Sequence, residues 1–282
     1  MAQIREIKKR IRSIQNTKKV THAMELVAAS KMRKSQEKTL SSRPYTNTLE
    51  QIIAQLRPKT REKAHQLLTP NPPGPHMVIL LTSDRGLVGG LNLNVFRETL
   101  KITYENIKFV TVGKKGLSFT TKSGLQTIAS FNSDEQPFWD LTKTLSRLAI
   151  GTFVTGEVQS VLIVYPDFVS TIKQIPTIAK LLPIELEDIQ LQDADEPGYL
   201  LFEPSADKIL EYILPHHIRT RIYQALLEAK ASEHSARMVA MKNATDAAGD
   251  LIEDLTLTYN QARQEAITKE LLDIVTAQRA FE

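Results

Sequence analysis

The sequence predicts an α/β protein in which long N- and C-terminal helices form an antiparallel coiled coil around an inserted three-layer α/β domain. Three observations support this fold class. Residues 2–43 contain neither glycine nor proline, residues 77–184 alternate between strand-like and helix-like apolar segments, and residues 216–282 contain one glycine and no proline. Long segments without helix breakers, carrying a periodic apolar pattern, are typical of coiled coils.

The C-terminal segment carries a seven-residue repeat. Its small or apolar members, among which only Thr245 is polar, are Met238, Met241, Thr245, Ala248, Ile252, Leu255, Tyr259 and Ala262. Alternating steps of three and four place them along one face of a helix, where they form a coiled-coil seam. A helix over residues 216–282 is roughly 100 Å long, about twice the width of a domain of this size. We therefore expect it to project from its domain and to need a partner.

The N-terminal segment supplies a matching stripe. Ile4, Ile7, Ile11 and Ile14 follow the same steps. The pattern predicts a continuation at Val20, Met24, Val27 and Ala28, after a phase shift near residues 17–19 that resembles a stutter. If the two ends of the chain pair in antiparallel orientation, both stripes are buried.

The domain organisation follows from the breakers. We predict an N-terminal coiled-coil helix over residues 1–57, a linker over 58–75, an α/β domain over 76–203 and a C-terminal coiled-coil helix over 204–282. Five of the 13 prolines fall within residues 57–76, which marks the linker.

The middle of the chain is predicted to be Rossmann-like, with right-handed crossovers between parallel strands. The predicted strands cover residues 77–81, 107–112, 125–131 and 158–165, with an antiparallel segment over 168–184. The predicted helices cover residues 91–105, 114–123 and 138–153. The first helix is expected to bury Leu93, Phe96, Leu100 and Tyr104, and Trp139 is expected in the core.

The loop over residues 83–90 follows the first strand and precedes a helix, which is where dinucleotide and phosphate sites occur. Its Gly86-x-x-Gly89-Gly90 spacing matches neither G-x-G-x-x-G nor the Walker A pattern. The second strand ends in glycine and lysines instead of the acidic residue that binds a ribose. We expect a tight turn with positive φ, and two roles stay open for Asp84 and Arg85: a local ion pair or contact with a partner.

The sequence shows no catalytic or cofactor constellation. There is no cysteine, so thiolate metal sites and thiol nucleophiles are excluded. The histidines lack metal-ligand spacing, and no paired-carboxylate, G-x-S-x-G or H-E-x-x-H pattern occurs. We expect no catalytic residue, no metal and no cofactor.

The charge distribution is uneven. Residues 1–43 carry 12 Lys and Arg against 3 Asp and Glu, whereas residues 216–282 carry 8 against 10. Three interpretations stay open: a solvated helix face, contact with an acidic protein surface, or nucleic-acid binding. No aromatic residue precedes Tyr45, which argues against stacking on single-stranded nucleic acid. No apolar run approaches the roughly 20 residues of a membrane span.

The last turns of the C-terminal helix change character. A polar cluster over residues 260–265 interrupts the seam, and an apolar stripe resumes at Ile267, Leu271 and Ile274, shifted by one position. One interpretation is a solvated end. The other is that these turns leave their coiled-coil partner and enter a cavity in another protein, because a free apolar tip is a liability.

Four blocks of the sequence resemble the γ subunit of rotary F-type ATP synthases of the bacterial type. They are Ile4-Arg5-Glu6-Ile7 with Ala23-Met24-Glu25-Leu26, Thr82-Ser83-Asp84-Arg85-Gly86-Leu87, Gln174-x-Pro176-Thr177-Ile178, and Ser232-Glu233-His234-Ser235-Ala236-Arg237 with Tyr259-Asn260-x-Ala262-Arg263-Gln264. The resemblance covers essentially the whole chain. It implies a non-catalytic central-stalk rotor subunit that transmits torque between a proton-driven membrane ring and the catalytic ring.

The resemblance also implies partners and a location. The partners are the α and β subunits, the ε subunit and the membrane c-ring, with no nucleic acid and no small-molecule substrate. The location is the cell membrane, as a peripheral protein on the cytoplasmic side. The cysteine-bearing insertion of chloroplast relatives is absent, so thiol control is not expected.

Individual positions inherit roles from the resemblance. Met24 matches the family position that faces an acidic lever loop of a catalytic subunit, and Lys31, Arg33 and Lys34 suit that loop. Glu203 matches the foot near the membrane ring, and Arg237 matches a conformationally sensitive position. Arg263 and Gln264 match a polar catch near the C-terminus, with Ile267, Leu271 and Ile274 beyond it.

One departure and two alternatives accompany the resemblance. Family members typically end in Ile-Val-Ser-Gly-Ala, whereas this chain reads Ile274-Val275-Thr276-Ala277-Gln278 and lacks the glycine. A nucleotide-binding α/β enzyme using the loop at Asp84 is the second hypothesis. A basic coiled-coil nucleic-acid binder is the third. Neither of these two explains both helices and the missing active site.

Overall fold

The computed structural model describes residues 2–56, 65–133, 137–185, 203 and 205–280. The helices are α1 (Ala2–Leu56), α2 (Leu91–Thr99), α3 (Lys114–Lys122), α4 (Phe138–Val154) and α5 (Ala206–Ala280). The strands are β1 (His76–Leu81), β2 (Ile107–Val112), β3 (Thr127–Phe131), β4 (Ser160–Phe168) and β5 (Gln174–Leu182). Pro44 and Pro215 lie inside α1 and α5 without ending them.

The five strands form one sheet in the order β3-β2-β1-β4-β5. The first four are parallel, and β5 pairs antiparallel with β4, as the sequence predicted. Alternate residues of β1 supply two separate cores: Ile79 packs with α4 and α5, while Val78 and Leu80 pack on the face that α2 and α3 cover. The structure therefore confirms the predicted α/β fold with helices on both faces of the sheet.

The first helix of the sheet region differs from its prediction. It ends at Thr99, and its buried side chains are Leu91, Val95 and Thr99. Leu93, Leu100 and Tyr104, which were expected in the core, are exposed. For Leu100 and Tyr104 the prediction was wrong because it continued the helical period past the end of the helix, into a segment where Tyr104 stacks on His76 with ring centroids 3.9 Å apart. Leu93 lies within α2, but two residues from both Leu91 and Val95, which turns it away from the buried side.

The position predicted for Trp139, in the core, is also wrong. Its side chain is 45% exposed and meets Tyr223 edge to face, with centroids 5.9 Å apart. Helix α4 buries the stripe of Leu141, Leu145 and Ala149. Trp139 lies two positions before that stripe, which at 100° per residue turns it to the opposite side of the helix.

The chain divides into two compact units. The coiled-coil unit comprises residues 1–29 and 237–282, and the head unit comprises residues 30–236. The boundaries predicted from the sequence stay predictions, and residues 58–64 of the predicted linker lie outside the described residues.

Within the coiled-coil unit the helix segments run antiparallel. The hydroxyl of Thr245 lies 2.8 Å from that of Thr21, and the amine of Lys18 lies against Gly249. Residues that come later in α1 therefore pair with residues that come earlier in α5. All eight members of the predicted α5 seam are buried or half-buried, which confirms that stripe.

The partner stripe on α1 has no stutter. Val20 and Val27 are more than half exposed, whereas Ile14, Thr21 and Ala28 are buried or half-buried. Because these three residues lie seven apart, the seam keeps one phase throughout. The predicted shift was wrong because it followed the apolar residues, while a Thr–Thr pair and Lys18 over Gly249 occupy the seam between the isoleucines and Ala28.

Candidate functional site

A stripe of apolar side chains lies on the outer side of α1 in the coiled-coil unit. We define this outer stripe as Val20, Met24 and Val27, which keep heptad spacing, with Leu26 beside them. Met24 is half-buried, and the other three are between 56% and 59% exposed. Contiguous exposed apolar side chains mark surfaces that contact other proteins. The sequence contained the information that Val20 lies outside the seam, because steps of seven residues from Ile14 lead to Thr21 and not to Val20.

Three basic residues follow on α1 in the head unit. Lys31, Arg33 and Lys34 are all exposed. Three positive charges within four residues give this part of the helix a local field suited to acidic groups. The structure places these residues and the outer stripe on the same helix but in different units.

A third surface lies at the end of α5, where the described coiled coil ends. Equal numbers of residues separate Thr21 from Ile4 and Thr245 from Ala262, so antiparallel pairing brings Ile4 opposite Ala262. All described side chains over residues 267–276 are exposed. We define the apolar tip as Ile267, Leu271, Leu272, Ile274 and Val275, each between 46% and 61% exposed.

The apolar tip is not part of the seam of this chain. The half-buried positions continue from Ala262 to Ala266, and Ile267 points outward. The stripe predicted to resume at Ile267 therefore has no partner in the described coiled coil. Arg263 and Gln264, immediately before it, are exposed as well.

Two of the predicted site residues lie apart from these surfaces. Glu203 is exposed and borders a cavity of about 300 Å³ with Tyr212 and His216. Tyr212 is 80% exposed, and sequence analysis had not selected it. Arg237 is half-buried and belongs to the coiled-coil unit.

The loop after β1 is held by one carboxylate. Asp84 Oδ1 accepts a hydrogen bond from the Lys114 amide at 3.0 Å, and Oδ2 accepts from the Ser133 amide and hydroxyl at 2.9 and 2.7 Å. Lys114 is the first residue of α3, so Asp84 places its negative charge at the end of the helix where phosphates bind in nucleotide-binding folds. Asp84 thus links the chain segments that follow β1, β2 and β3.

The same loop contains the expected positive φ angles. Leu87 and Gly89 have φ of 62° and 56°. Gly113, at the start of α3, has φ of 99°, and a Cβ there would lie 2.2 Å from the carbonyl oxygen of Thr82. The loop therefore packs closely against neighbouring backbone, as a structural turn does.

A buried carboxyl group lies where α1, β4 and α5 meet in the head unit. Glu228 accepts a hydrogen bond from Gln224 at 2.7 Å, and the Arg43 guanidinium lies 3.5 Å away. Burial raises the pKa of Glu228, and Asp167 adds to this by its charge and by a hydrogen bond. Burial also raises the pKa of Tyr165 beyond its usual range. These groups hold α5 against α1 and β4.

His217 of α5 is 6% exposed, and burial followed by the charges of Arg221 and His216 lowers its pKa to about 4. Folding keeps its ring neutral, whereas the unfolded chain takes up a proton below about pH 6.5. The contribution of His217 to the free energy of unfolding is therefore at its maximum above about pH 6.5. It falls by on the order of 3 kcal/mol as the pH is lowered toward 4. Urea unfolding between pH 7 and 4.5 measures it.

The variant His217→Gln is expected to lose this part of the pH dependence. His22→Gln, at an exposed histidine, is the control and should keep it. An unchanged slope in His217→Gln would show that other groups produce the pH dependence.

These features define a class of protein, a structural subunit that works through contacts with other proteins. A family model described as ATP synthase matches residues 3–281. The chain is 42% identical over 286 residues to the ATP synthase gamma chain of Desulfitobacterium hafniense, covering all of both chains. It is 43% identical over 281 residues to that of Dehalococcoides mccartyi, covering 98% of each. The chain belongs to the ATP synthase gamma chain family.

Solved structures share the fold. A chain of the Euglena gracilis mitochondrial ATP synthase, in a structure described as OSCP/F1/c-ring in rotational state 3, superposes with a TM-score of 0.70 at 20% identity, covering 99% of this chain and 95% of that one. A chain of the Tetrahymena thermophila mitochondrial enzyme, described as central stalk and c-ring, gives 0.58 at 23% identity, covering 80% and 99%. Among the residues described here, no helix is both long and apolar enough to cross a bilayer.

Proposed function

We propose that this chain is the central-stalk rotor subunit of an F-type ATP synthase, transmitting torque between the proton-driven membrane ring and the catalytic ring that makes or hydrolyses ATP. The observation that carries the proposal is the antiparallel coiled coil of the chain's own ends, from which an apolar tip continues without a seam partner. Membership of the family and the titles of the structural neighbours support the same function.

The contacts with the catalytic ring involve two parts of α1. Met24, in the outer stripe, faces an acidic loop of a catalytic β subunit. Lys31, Arg33 and Lys34 lie next along the helix, and their exposed charges attract acidic groups of the α and β subunits over a distance of about 10 Å at ordinary salt. Arg237 is half-buried in the coiled-coil unit, and its contacts change when the helices around it move.

The end of α5 forms the upper bearing of the rotor. Arg263 and Gln264 present exposed hydrogen-bond donors that engage loops of the catalytic subunits. Ile267, Leu271 and Ile274 enter an apolar cavity within the ring. This arrangement removes from water the side chains that the isolated chain leaves exposed.

The head unit connects the rotor to the membrane side. Glu203 lies at the foot, next to the membrane c-ring, and the head carries the small ε subunit. ATP synthase is a membrane-associated complex, and we place this chain at the cell membrane as a peripheral protein on the cytoplasmic side. The chain itself contributes no catalytic group, cofactor or metal, and needs no nucleic acid or small-molecule substrate.

The loop at Asp84 favours this function over the alternative of a nucleotide-binding enzyme. Its carboxylate accepts hydrogen bonds from the start of α3 and from Ser133, which places a negative charge where a phosphate would have to bind. Repulsion between the two anions opposes nucleotide binding at this position.

Replacing Ile267, Leu271 and Ile274 together with serine is expected to weaken assembly with the catalytic ring at least tenfold. Burying one such side chain contributes about 1.5–3 kcal/mol, so losing three of them exceeds that factor even where burial is partial. The isolated variant should keep its helical content, because all three side chains are exposed. Co-purification of the ring with the tagged chain, with an ATPase assay on the product, measures the effect.

The control exchanges three exposed leucines for serine: Leu93 in α2, Leu100 directly after α2, and Leu117 in α3. This control should assemble with the catalytic ring as the unaltered chain does. Equal recovery of the ring with the tip variant would contradict the proposed seating of α5.

A further inference from the structure

A cavity of about 380 Å³ lies in the head unit between β5, α5 and the end of α1. Pockets that hold small molecules typically measure about 300–1,000 Å³. None of the partner contacts proposed above uses this cavity. Its wall includes residues 177–181 of β5, the edge strand of the sheet, and residues of α1, β4 and α5.

Two cationic side chains line the cavity, and each has a carboxylate partner. Arg221 donates a hydrogen bond to Glu50 at 2.9 Å, and the amine of Lys180 contacts Glu185. The carboxylate partners keep access to water, since Glu50 is 25% exposed and Glu185 is 48% exposed. Ion pairs of this kind are weak, so an entering anion can displace either carboxylate at small cost.

The third group is an imidazole without a partner. His217 lines the same cavity and is 6% exposed, and among the described residues its Nδ1 has no hydrogen-bond partner. Buried polar atoms in folded proteins are nearly always paired, and one that is not calls for an explanation. Nδ1 is enclosed by the protein and cannot itself reach a ligand, so the remainder of the His217 ring makes the contact with the cavity.

We propose that this cavity binds the phosphoryl group of a small molecule, with Arg221, Lys180 and His217 as its ligands. The planar guanidinium of Arg221 matches two phosphate oxygens, and Lys180 supplies a mobile point charge to a third. The imidazole donates a hydrogen bond once it is protonated. The proposal does not depend on the rotor function, since all its residues belong to the head unit.

The binding is expected to take up a proton. The charged and titratable groups that face His217 are Glu50 from α1, Tyr165 from β4, Lys180 from β5, Glu185 after β5, and His216 and Arg221 on α5. In the free chain, burial keeps the ring neutral with a pKa of about 4. A bound phosphate dianion reverses that balance and raises the pKa of His217, so the affinity for the dianion should increase as pH falls from 8 to 6.

Isothermal titration calorimetry of the full-length chain tests the proposal, with inorganic phosphate in one series and ADP in another. Each series is run at pH 6 and pH 8 in two buffers of different ionisation enthalpy. Net proton uptake is expected at pH 8, where the phosphate group is mostly the dianion, and less net uptake at pH 6, where part of the ligand already carries the proton. The affinity for the dianion should be higher at pH 6. Stronger binding of phosphate identifies the free ion as the ligand, and stronger binding of ADP identifies a nucleotide.

Lys180→Gln should weaken binding about tenfold, since a hydrogen bond to a charged group typically contributes that factor or more. Lys173→Gln removes the same charge from an exposed position outside the cavity and should bind like the unaltered chain. His217→Gln should abolish proton uptake. If that variant fails to fold, Lys180→Gln alone decides, because its side chain is at the surface.

Two results would overturn the proposal. One is the absence of binding of either compound at about 10 mM, a concentration that would reveal even a weak millimolar site. The other is equal affinity in Lys180→Gln and Lys173→Gln, which would place the ligand elsewhere.

Discussion

Gly113→Ala is expected to prevent the head unit from folding stably, with a loss of more than about 4 kcal/mol. The added Cβ would lie 2.2 Å from the carbonyl oxygen of Thr82 and 2.7 Å from its hydroxyl. Neither atom can retreat easily, because the Thr82 amide donates to Val112 and the Gly113 amide donates to Phe131, each at 2.8 Å. The free energy of unfolding of a typical domain is only about 5–15 kcal/mol, so this single methyl group removes a large part of it.

The control is Gly124→Ala. Gly124 also has a positive φ, 66°, but no atom lies within 4 Å of the position where its Cβ would be. It therefore reports the conformational cost alone, about 1–2 kcal/mol. Urea unfolding of both variants, followed by circular dichroism, separates the steric cost from the conformational one. Similar losses in the two variants would mean that β1 and β2 move apart to accommodate the methyl group.

Ala248→Lys is expected to open the coiled-coil unit, lowering its stability by about 3 kcal/mol. Ala248 is a 6% exposed seam residue, and the amine of Lys18 already lies against the neighbouring Gly249. A second amine at this point would be desolvated and repelled by the first. Hydrogen exchange of the amides over residues 238–262 should accelerate, and an assembled complex should pump fewer protons per ATP hydrolysed.

Ala247→Lys provides the matched control. Ala247 is the adjacent residue and is exposed, so this variant changes charge and helix propensity equally without altering the seam. It should keep the exchange rates and the pumping of the unaltered protein. Equal acceleration in the two variants would show that the seam is not closed at Ala248.

Much of the fold could be predicted because two periods dominate the sequence. The α5 seam from Met238 to Ala262 follows from its heptad spacing alone, and β2 was placed at its observed bounds, Ile107–Val112. A continuous apolar run such as residues 77–81 is typical of a buried parallel strand. The absence of glycine and proline over residues 2–43 predicted most of α1, which continues through Pro44 to Leu56.

The orientation of single side chains was harder to predict. Val20 and Val27 were assigned to the seam because they are apolar, yet the seam accepts Thr21 and Lys18, whose polar ends meet Thr245 and Gly249. No local pattern shows that a glycine on one helix makes room for a lysine on another. Sequence alone shows which residues repeat, but only the partner helix determines which repeat is buried.

The candidate sites, too, could be predicted only in part from the sequence. The tip residues Ile267, Leu271 and Ile274 were found from the sequence, because a stripe that outlasts its partner is visible as a pattern. The cavity at His217 was not found, since Lys180 and Glu50 are distant in the chain and come together only through the packing of β5 and α1 against α5. A site whose residues come from four separate elements has no characteristic spacing in the sequence.

The unbroken seven-residue phase of the seam has a mechanical consequence. A 3.5-residue repeat on a 3.6-residue helix winds the pair into a left-handed supercoil, so the shaft is chiral. Twist applied in the sense of the winding tightens the packing of Ile14, Thr21 and Ala28 against the opposite helix, whereas twist of the other sign separates them. The resistance of such a shaft to torsion therefore depends on the sense in which it is twisted.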